Sequence, residues 1–514
     1  MNVKNLLLEQ AGKYKDKTAI VFNGIEISFN EIKNNSFKIA NYLLDSGIEK
    51  GDKTAVFMSN TGQAINSLLG IYCAGAVVVP LDFMLTEEEI IHFINHSEAK
   101  ILIAQPRKGI NFDNIINNCP GLKNIVVAKE KTGNFIFLDE VIENGNVTEP
   151  AVEAGAGDFS SIFYTSGSTG KPKGVILTHA HLDNPPDTIN HFLSVTDNDI
   201  FLCGGVPFSH VGGLDYILLM LKFGSKLVLM ERFNPFEFLK SIERFKVSVF
   251  CIVPAMYMAI LSLKEYERFD LSSLRYAVVF GAPSSPALLQ KFHLACPEAR
   301  VLNGWGMTET AAPNTFSPHD ETKLSSIGKF GYSTQAKIVN DSGDSIEGQG
   351  QGELWVKGAA ITPGYYKAAD LTNESLTQDG WFKTGDIARC DSEGFYYIAG
   401  RKKDMIKVAG EIVFSAEVEE KIHKFSKVKE AAVIGIPDRM RGEVPKAFIV
   451  AKDNQTITLD ELKNFLKIHL AHFKIPHYFE FLDNLPKNRT GKVDKAKLAN
   501  SQQSLPGRNA GTTR

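Results

Sequence analysis

The sequence lacks the cysteine pattern of a disulfide framework or a structural zinc site. Its six cysteines are scattered through 514 residues, and no two of them form a Cys-x-x-Cys pair. This scattered pattern argues against both a disulfide framework and a structural zinc site. Unpaired cysteines also favour a reduced, cytoplasmic compartment.

Charge of one sign and long apolar runs are also scarce. The chain carries 56 basic and 59 acidic residues, so no overall field attracts nucleic acid or an anionic membrane. Only three consecutive leucines occur near the N-terminus, too few for a signal peptide. The most apolar stretch, 64–81, includes polar residues and predicts a buried helix, a turn and a strand, not a membrane span. The length predicts two to four domains, while a peripheral membrane contact and a homodimer stay open.

Hydroxyl groups, glycines and lysines are concentrated in the segment YTSGSTGKPKG, residues 164–174. Glycines let the backbone approach an anion, and amide N–H groups, hydroxyls and lysines donate to phosphate oxygens. The segment is not a P-loop, because Gly170-Lys171 is followed by Pro172 instead of Ser or Thr. A flexible Ser/Gly linker is the alternative. The stiffening proline and the preceding apolar run favour a phosphate-binding loop.

Apolar β-branched runs alternate with amphipathic stretches through the first two thirds of the chain. This alternation predicts βαβ units and largely parallel sheets, with strands near residues 54–57, 76–79, 101–103, 124–127, 226–229, 247–252 and 276–280. From about residue 332 short antiparallel strands are expected instead, and after Gly400 a compact α+β unit follows. The polar tail 501–514 is expected to be disordered. The fold class is therefore α/β, with a large N-terminal domain of αβ-layered sheets.

Further motifs follow the first loop in a fixed order: PFSHVGG (207–213), NGWGMTET (303–310), GELWVKG (352–358), WFKTGD (381–386), GRKKDMIKVAGE (400–411) and LPKNRTGK (485–492). Together with the loop they closely resemble the core motifs of the adenylate-forming superfamily, which includes acyl-CoA synthetases, aryl-CoA ligases, firefly luciferase and the adenylation domains of peptide synthetases. The resemblance spans nearly the whole chain. It implies an adenylation domain over 1–400 with a β-subdomain at about 332–400, and a small mobile α+β domain over 401–500.

The resemblance also implies the reaction and its phosphate-binding groups. These enzymes join a carboxylate to the α-phosphate of ATP, release pyrophosphate, and pass the acyl group to a thiol, here that of Coenzyme A. The loop would grip the leaving pyrophosphate through hydroxyls, amides and positive charge. The residues given this role are Thr165, Ser166, Gly167, Ser168, Thr169, Gly170 and Lys173.

The nucleotide's other parts are matched by separate motifs. Trp305, at a position where tyrosine is commoner in the family, would stack on adenine, within the segment Asn303, Gly304 and Trp305. The opposite wall of the adenine site would be formed by Gly281, Ala282 and Pro283. Thr308 would lie near the α-phosphate. Glu309 would bind Mg²⁺ together with Thr165, because Mg²⁺ prefers hard oxygen ligands. Asp386 and Arg401 resemble the pair that binds the ribose hydroxyls, for which a carboxylate offers acceptors.

The small domain supplies groups for both half-reactions in this superfamily. Lys403 occupies the hinge about which that domain rotates, and Lys492 resembles the lysine that bridges the carboxylate and the α-phosphate during adenylation. Lys407 resembles a lysine used in the thioester-forming arrangement, and Gly410 and Glu411 would line the pantetheine tunnel. One departure is a serine, Ser415, where the family has proline, which we expect to loosen a turn.

The acid substrate is indicated by the segment that follows Pro207. His210 matches the histidine that lies near the carboxylate in fatty-acyl and aryl ligases. Val211 stands where amino-acid activators carry an aspartate for the substrate amine, so an acid without an amino group is favoured. The apolar helix expected from Gly212 would deepen an acyl tunnel at Gly212-Gly213, which favours a fatty acid over an aromatic acid.

Other functions remain open at this stage. An acyl-AMP ligase that loads a carrier protein differs only in its acceptor, and an aryl-CoA ligase differs only in its acid. A third alternative is a non-catalytic nucleotide sensor, which would not need Thr308, Glu309, Asp386 and Lys492 together. Luciferase-type oxygenation is a fourth alternative, but nothing in the sequence specifically supports it.

Overall fold

The computed structural model describes residues 2–166, 172–281, 284, 286–409, 411–487 and 493–503. Its chain divides into two compact units. The first contains residues 1–336 and 356–382, and the second contains residues 337–355 and 383–514.

Two largely parallel sheets form the first unit. One has the strand order β7-β6-β5-β3-β4-β8-β9 and the other the order β15-β14-β13-β12-β10-β11-β1-β2. In chain order, the helices and strands of the N-terminal part of this unit are α1 (Val3–Tyr14), β1 (Thr18–Phe22), β2 (Ile25–Ser28), α2 (Phe29–Asp45), β3 (Lys53–Phe57), α3 (Gly62–Cys73), β4 (Val77–Leu81), α4 (Glu87–Ser97), β5 (Ala99–Ala104), α5 (Phe112–Asn118), β6 (Asn124–Val127), β7 (Ile136–Phe137), α6 (Leu138–Asn144), β8 (Phe159–Ser166) and β9 (Pro172–Thr178).

The remaining elements of this unit complete the second sheet and the helices that cover it. They are α7 (Asn184–Leu193), β10 (Ile200–Cys203), α8 (Val211–Phe223), β11 (Lys226–Leu229), α9 (Pro235–Phe245), β12 (Val249–Ile252), α10 (Pro254–Leu261), β13 (Tyr276–Val279), α11 (Pro286–Ala295), β14 (Arg300–Trp305) and β15 (Thr315–Phe316). The predicted strand at 247–252 begins at Val249, because the Val247 N–H is bonded to the Ile242 carbonyl at the end of α9.

The core of the first unit is layered because each parallel strand presents apolar side chains to both faces. Side chains from one face of each sheet share a single core with α2, α3, α7 and α8. The opposite face of one sheet packs on α4 and α5, and that of the other packs on α9, α10 and α11. Helices α3 and α8 are buried on nearly all sides, as expected of apolar helices between two sheets.

Antiparallel strands dominate the part of the chain after residue 332. Strands β16 (Thr334–Val339), β17 (Ser345–Ile346), β18 (Gln351–Gly358), β19 (Phe382–Cys390) and β20 (Tyr396–Arg401) form a third sheet, and α12 (Ala369–Ser375) lies between β18 and β19 in the chain. A fourth sheet contains β21 (Met405–Val408), β22 (Glu411–Phe414), β23 (Val428–Asp438), β24 (Gly442–Ala451) and β25 (Tyr478–Phe481), and packs with α13 (Ser415–His423) and α14 (Leu459–His469).

The fold class expected from the sequence is confirmed, since a large N-terminal α/β region precedes a smaller C-terminal one. The stretch 64–81 forms a helix, a turn and a strand, as predicted. Among the described residues, no helix combines the length and apolar character that a bilayer span requires. The last helix, α15 (Lys495–Gln503), includes the first residues of the predicted tail, and the rest of that tail lies outside the described residues.

Candidate active site

The phosphate-binding segment predicted from the sequence includes the facing ends of β8 and β9, the two strands of a hairpin. Strands β8 and β9 pair antiparallel, with Thr165 opposite Lys173 and Ser166 opposite Pro172. Gly167, Ser168, Thr169 and Gly170, which come between these strands in the chain, lie outside the described residues. Within the described residues, the buried Thr165 Oγ1 has no hydrogen-bond partner. A hydroxyl in this state can donate to a bound oxygen anion.

Three side chains meet beside this hairpin. Lys173 Nζ lies 3.0 Å from Glu309 Oε1 and donates to the Tyr365 hydroxyl oxygen at 2.7 Å. That hydroxyl in turn donates to Glu309 Oε1 at 3.0 Å. Burial, and then the Glu309 carboxylate, raise the pKa of the Tyr365 hydroxyl, so it remains a donor. The result is a buried carboxylate fixed between two donors.

Backbone contacts hold this cluster in place. The Thr362 N–H donates to the Glu309 carbonyl at 2.8 Å, and the Thr362 hydroxyl donates to the Ile176 carbonyl on β9. His181 Nδ1 accepts from the Thr178 N–H, and its Nε2 lies 3.0 Å from the Ile361 carbonyl. These bonds connect β9 to the segment that carries Tyr365. The sequence analysis did not identify Tyr365 or His181, and the pair Tyr365-Tyr366 after Gly364 was the available signal for the former.

The predicted adenine segment lies at the end of β14. The Trp305 side chain is buried and packs edge-on against Phe330, with ring centroids 5.4 Å apart. The Asn303 amide donates to the Ser326 carbonyl, so this group is engaged within the protein. A Cβ at Gly304 would meet Phe280 and Phe316 at 3.0 Å.

Two further residues of the predicted nucleotide site adjoin these strands. Gly281, after β13, has a φ of +82°, a conformation that favours glycine, whereas Ala282 and Pro283 lie outside the described residues. Thr308 opens the 3-10 turn Thr308–Thr310, which directs the Glu309 side chain into the buried cluster.

His210 caps the N-terminus of α8, where its carbonyl accepts from the Gly213 and Leu214 N–H groups. Its Nε2 lies 3.9 Å from Asp82 Oδ2. The acyl tunnel expected at Gly212-Gly213 has no space at Gly213, where a Cβ would meet the Pro207 carbonyl oxygen at 2.2 Å and the Phe208 Cα at 2.9 Å. At Gly212 a Cβ would meet only a Val206 methyl carbon at 3.9 Å. Gly213 instead allows the loop before His210 to pack directly on the helix.

In the second unit, the predicted ribose pair lies on adjacent strands. Asp386 on β19 is opposite Arg401 on β20, and Arg401 Nε lies 2.7 Å from Asp386 Oδ1. Arg401 also donates to the Thr384 carbonyl at 3.2 Å. Asp386 is almost fully buried whereas the Arg401 side chain is 44% exposed. The strand register therefore brings together two residues that the sequence analysis paired only by resemblance.

The other predicted residues of this unit are more exposed. Lys407 on β21 and Glu411 on β22 have exposed side chains, whereas Gly410 and Lys492 lie outside the described residues. Ser415, which replaces the family's proline, begins α13 and accepts a hydrogen bond from Lys495 at 2.7 Å. The serine hydroxyl thus makes a contact that proline could not.

The donor set in the first unit fits Mg²⁺, which takes oxygen ligands from one or two carboxylates and from substrate phosphates. Glu309 supplies a buried carboxylate, and Thr165 supplies a buried hydroxyl whose oxygen is unpartnered among the described residues.

Comparisons with known proteins agree on one family. The family described as AMP-binding enzyme matches residues 7–366, and the family described as AMP-binding enzyme C-terminal domain matches residues 417–492. A long-chain-fatty-acid–CoA ligase of Bacillus subtilis is 31% identical, covering 96% of this chain and 94% of its own. A feruloyl-CoA synthase of Amycolatopsis is 34% identical, covering 94% and 95%.

A solved structure supports the same conclusion. The anthranilate CoA ligase AuaEII, in complex with anthranoyl-AMP, is 26% identical to this chain and covers 98% of it and 97% of its own length, with a TM-score of 0.91. These proteins act on different acids but all form CoA thioesters. The chain therefore belongs to the adenylate-forming acyl-CoA synthetases, the AMP-forming ligases that use ATP to join a carboxylic acid to Coenzyme A.

Proposed function

We propose that this ligase is a fatty-acyl-CoA synthetase. A carboxylate oxygen of the fatty acid attacks the α-phosphorus of ATP, and the bond to pyrophosphate breaks. The thiol sulfur of Coenzyme A then attacks the acyl-AMP carbonyl, AMP leaves, and the thiol proton passes to solvent. The observation that supports the first step best is the Lys173–Tyr365–Glu309 cluster, which places a cation and a buried carboxylate beside the hydroxyl-rich hairpin.

Each predicted residue has a role in this scheme. Lys173 and residues 165–170 hold the leaving pyrophosphate, and Glu309 with Thr165 holds Mg²⁺, which neutralises phosphate charge when bound. Tyr365 keeps Lys173 and Glu309 aligned, and Thr308 contacts the α-phosphate. Lys492 stabilises the charge that develops there, because an ammonium on a flexible stem suits a mobile domain.

The remaining roles concern recognition and thioester formation. Trp305 with the segments 281–283 and 303–304 binds adenine, and Asp386 with Arg401 binds ribose. His210 orients the substrate carboxylate. Lys407, Gly410 and Glu411 act during transfer to Coenzyme A.

The choice of a fatty acid depends on α8, which begins directly after His210. Its residues 214–221 are all buried, and all but Asp215 are apolar or aromatic. Position 211 is valine, so no carboxylate is available there to pair with an α-ammonium group. The long-chain-fatty-acid ligase among the relatives agrees with this choice. An aryl acid is the second candidate, because two similar proteins are a feruloyl-CoA synthase and an anthranilate CoA ligase.

A panel of acids tests the proposal. Pyrophosphate release is measured with fatty acids of graded length and with ferulic, benzoic and anthranilic acids, each with and without Coenzyme A. A phosphopantetheinylated carrier protein replaces Coenzyme A in a parallel series. Glu309→Gln keeps the side-chain shape but removes the charge, so it serves as the matched control for contaminating activity.

We expect the fatty acids to give the highest kcat/KM, with acyl-CoA as the product. Faster turnover of the aryl acids would overturn the substrate assignment, and acyl transfer only to the carrier protein would overturn the acceptor. Equal activity in Glu309→Gln would refute the site.

A further inference from the structure

Asp215 is a buried carboxyl group with no evident role in folding. It lies on α8, one helical turn after Val211, and is only 6% exposed. Its Oδ1 has no hydrogen-bond partner among the described residues. The adjacent helix residues Leu214, Tyr216 and Ile217 are buried in the apolar core. Because an unpartnered buried polar atom is costly, such a group calls for a ligand that completes its bonding.

The sheet next to Asp215 opens at the carboxyl ends of two parallel strands. Strands β10 and β12 pair only at Phe201 and Val249, whereas β12 and β13 pair along four positions. Beyond that point the Tyr216 hydroxyl takes the place of a strand neighbour. It accepts from the Cys251 N–H at 2.8 Å and donates to the Cys251 carbonyl at 2.7 Å. Strand pairing between β10 and β12 therefore ends before Cys251, whose backbone bonds to the Tyr216 side chain of α8 instead.

This opening coincides with a reversal of strand order. From β10 the chain moves to β11 on one side, then returns to β12 on the other side and continues to β13 and β14. Helix α8 packs on one face of this sheet and α9 to α11 pack on the opposite face. In open α/β sheets, ligands bind in the crevice that such a reversal leaves at the carboxyl ends of the strands.

Asp215 borders this crevice. Asp215 is next to Tyr216 in α8, and the Tyr216 hydroxyl bonds to both backbone groups of Cys251. Burial raises the pKa of the Cys251 thiol, and the Asp215 carboxyl raises it further. Cys251 is intermediate in exposure and packs against the apolar core that contains the neighbours of Asp215 on α8. His210, the residue proposed to orient the substrate carboxylate, caps the same helix.

We propose that Asp215 hydrogen-bonds a hydroxyl group carried by the acyl portion of the acid. This inference rests on the proposed function and narrows its substrate from fatty acids in general to hydroxylated ones. Burial raises the pKa of the Asp215 carboxyl well above its ordinary value, which favours the protonated, neutral form. A neutral carboxyl both donates and accepts, which matches a hydroxyl group.

The test measures binding and turnover separately. Dissociation constants are obtained by calorimetry in the presence of a non-hydrolysable ATP analogue. One series compares octanoic acid, as the parent acid, with its 3-hydroxy, terminal-hydroxy and 3-amino derivatives. The second series compares cinnamic acid, as the parent acid, with 4-hydroxycinnamic acid. The proteins are the wild type, Asp215→Leu, Asp215→Asn and the matched control Leu218→Met, which changes a buried residue on the same helix at nearly constant volume. Asp215→Ala serves as a second apolar variant if the leucine does not fold.

We expect the wild type to bind at least one hydroxylated acid about 10- to 100-fold more tightly than its parent acid, the range that one buried hydrogen bond gives. The apolar variants should lose this preference, Asp215→Asn should keep part of it, and Leu218→Met should keep all of it. The apolar variants should also melt at a higher temperature, since an unpartnered carboxyl is removed from the core.

Three results would each overturn the proposal: a wild type that prefers the parent acid in every pair, a preference that survives in a folded apolar variant, or tightest binding of the amino derivative. Pyrophosphate release with the same acids tests the proposed function independently. Its absence with every acid, while the binding preference persists, would remove the ligase assignment and leave the role of Asp215 intact.

Discussion

Adjacent glycines at the start of α8 offer a matched test of how this helix is packed against the loop that carries His210. At Gly212 the nearest atom to an added Cβ is a Val206 methyl carbon at 3.9 Å, an ordinary contact. At Gly213 the added Cβ would lie 2.2 Å from the Pro207 carbonyl oxygen and 2.6 Å from its carbonyl carbon. Both glycines are in the first turn of the same helix, so alanine has the same intrinsic effect at each.

The two alanine variants should therefore change stability in opposite directions. Alanine is favoured over glycine in a helix by about 0.5–1 kcal/mol, and Gly212→Ala should gain up to this amount. In Gly213→Ala the loop must move by about 1 Å to reach a normal carbon contact distance. Forcing extra atoms into a packed site costs about 1–3 kcal/mol, so this variant should lose about 1–2 kcal/mol after the helix gain.

Calorimetric unfolding of both variants beside the wild type measures this difference. Pyrophosphate release at saturating acid gives a second readout, because the displaced loop carries His210 and Gly213→Ala should slow adenylation. Equal stability of the two variants would refute the packing argument. A shortened chain-length preference in a fully stable Gly213→Ala would restore the tunnel that the sequence suggested.

Three further predictions follow from the site. Lys492→Ala should depress acyl-AMP formation about 10²- to 10³-fold while thioester formation from supplied acyl-AMP survives, and Lys403→Pro should impair thioester formation instead. Single-turnover kinetics of each half-reaction measure both effects. Equal loss of both steps in Lys492→Ala would contradict this prediction. Tyr365→Phe removes the hydroxyl between Lys173 and Glu309 and should slow pyrophosphate release about 10- to 100-fold, and an unchanged rate would show that the hydroxyl does not position them. Burial lowers the pKa of the His181 imidazole, against the opposing effect of the Ile361 carbonyl, so the unfolded chain binds its proton more readily. Stability supplied by His181 is present above about pH 6.5 and is lost as the pH falls below that value. The difference in stability between wild type and His181→Gln, measured by thermal melting, should therefore shrink as the pH is lowered from about 7.5 to about 5.5. A constant difference over this pH range would refute the linkage.

Local pattern was sufficient to predict much of the first unit. Runs of β-branched residues marked parallel strands correctly because both faces of such strands are buried, which leaves a continuous apolar signal. The short strand β10 was not among the predicted runs, although its four residues are apolar. Strands β6 and β11 also have four residues and were predicted, so the length of β10 does not explain its omission.

Motif order identified the family and gave a set of site residues, of which the structure brings several into contact. Asp386 and Arg401 meet because their strands pair in register, and Lys173 and Glu309 meet beside the hairpin. Tyr365 completes that cluster from 192 residues beyond Lys173. The paired tyrosines after Gly364 are a local signal in the sequence. That signal does not show which distant residues the Tyr365 hydroxyl contacts.

The sequence by itself determined the fold class, the family, and the residue types proposed to bind nucleotide, because these depend on motifs with short, ordered spacings. Only the tertiary structure decided what surrounds each side chain. Gly213 looked like space for a substrate but is occupied by the backbone of Pro207, and Asp215 looked like one polar residue in an apolar helix but is a buried carboxyl at the edge of a crevice. Burial and contact are properties of segments brought together by folding, and they decide whether a small residue leaves a cavity and whether a carboxyl group keeps its charge.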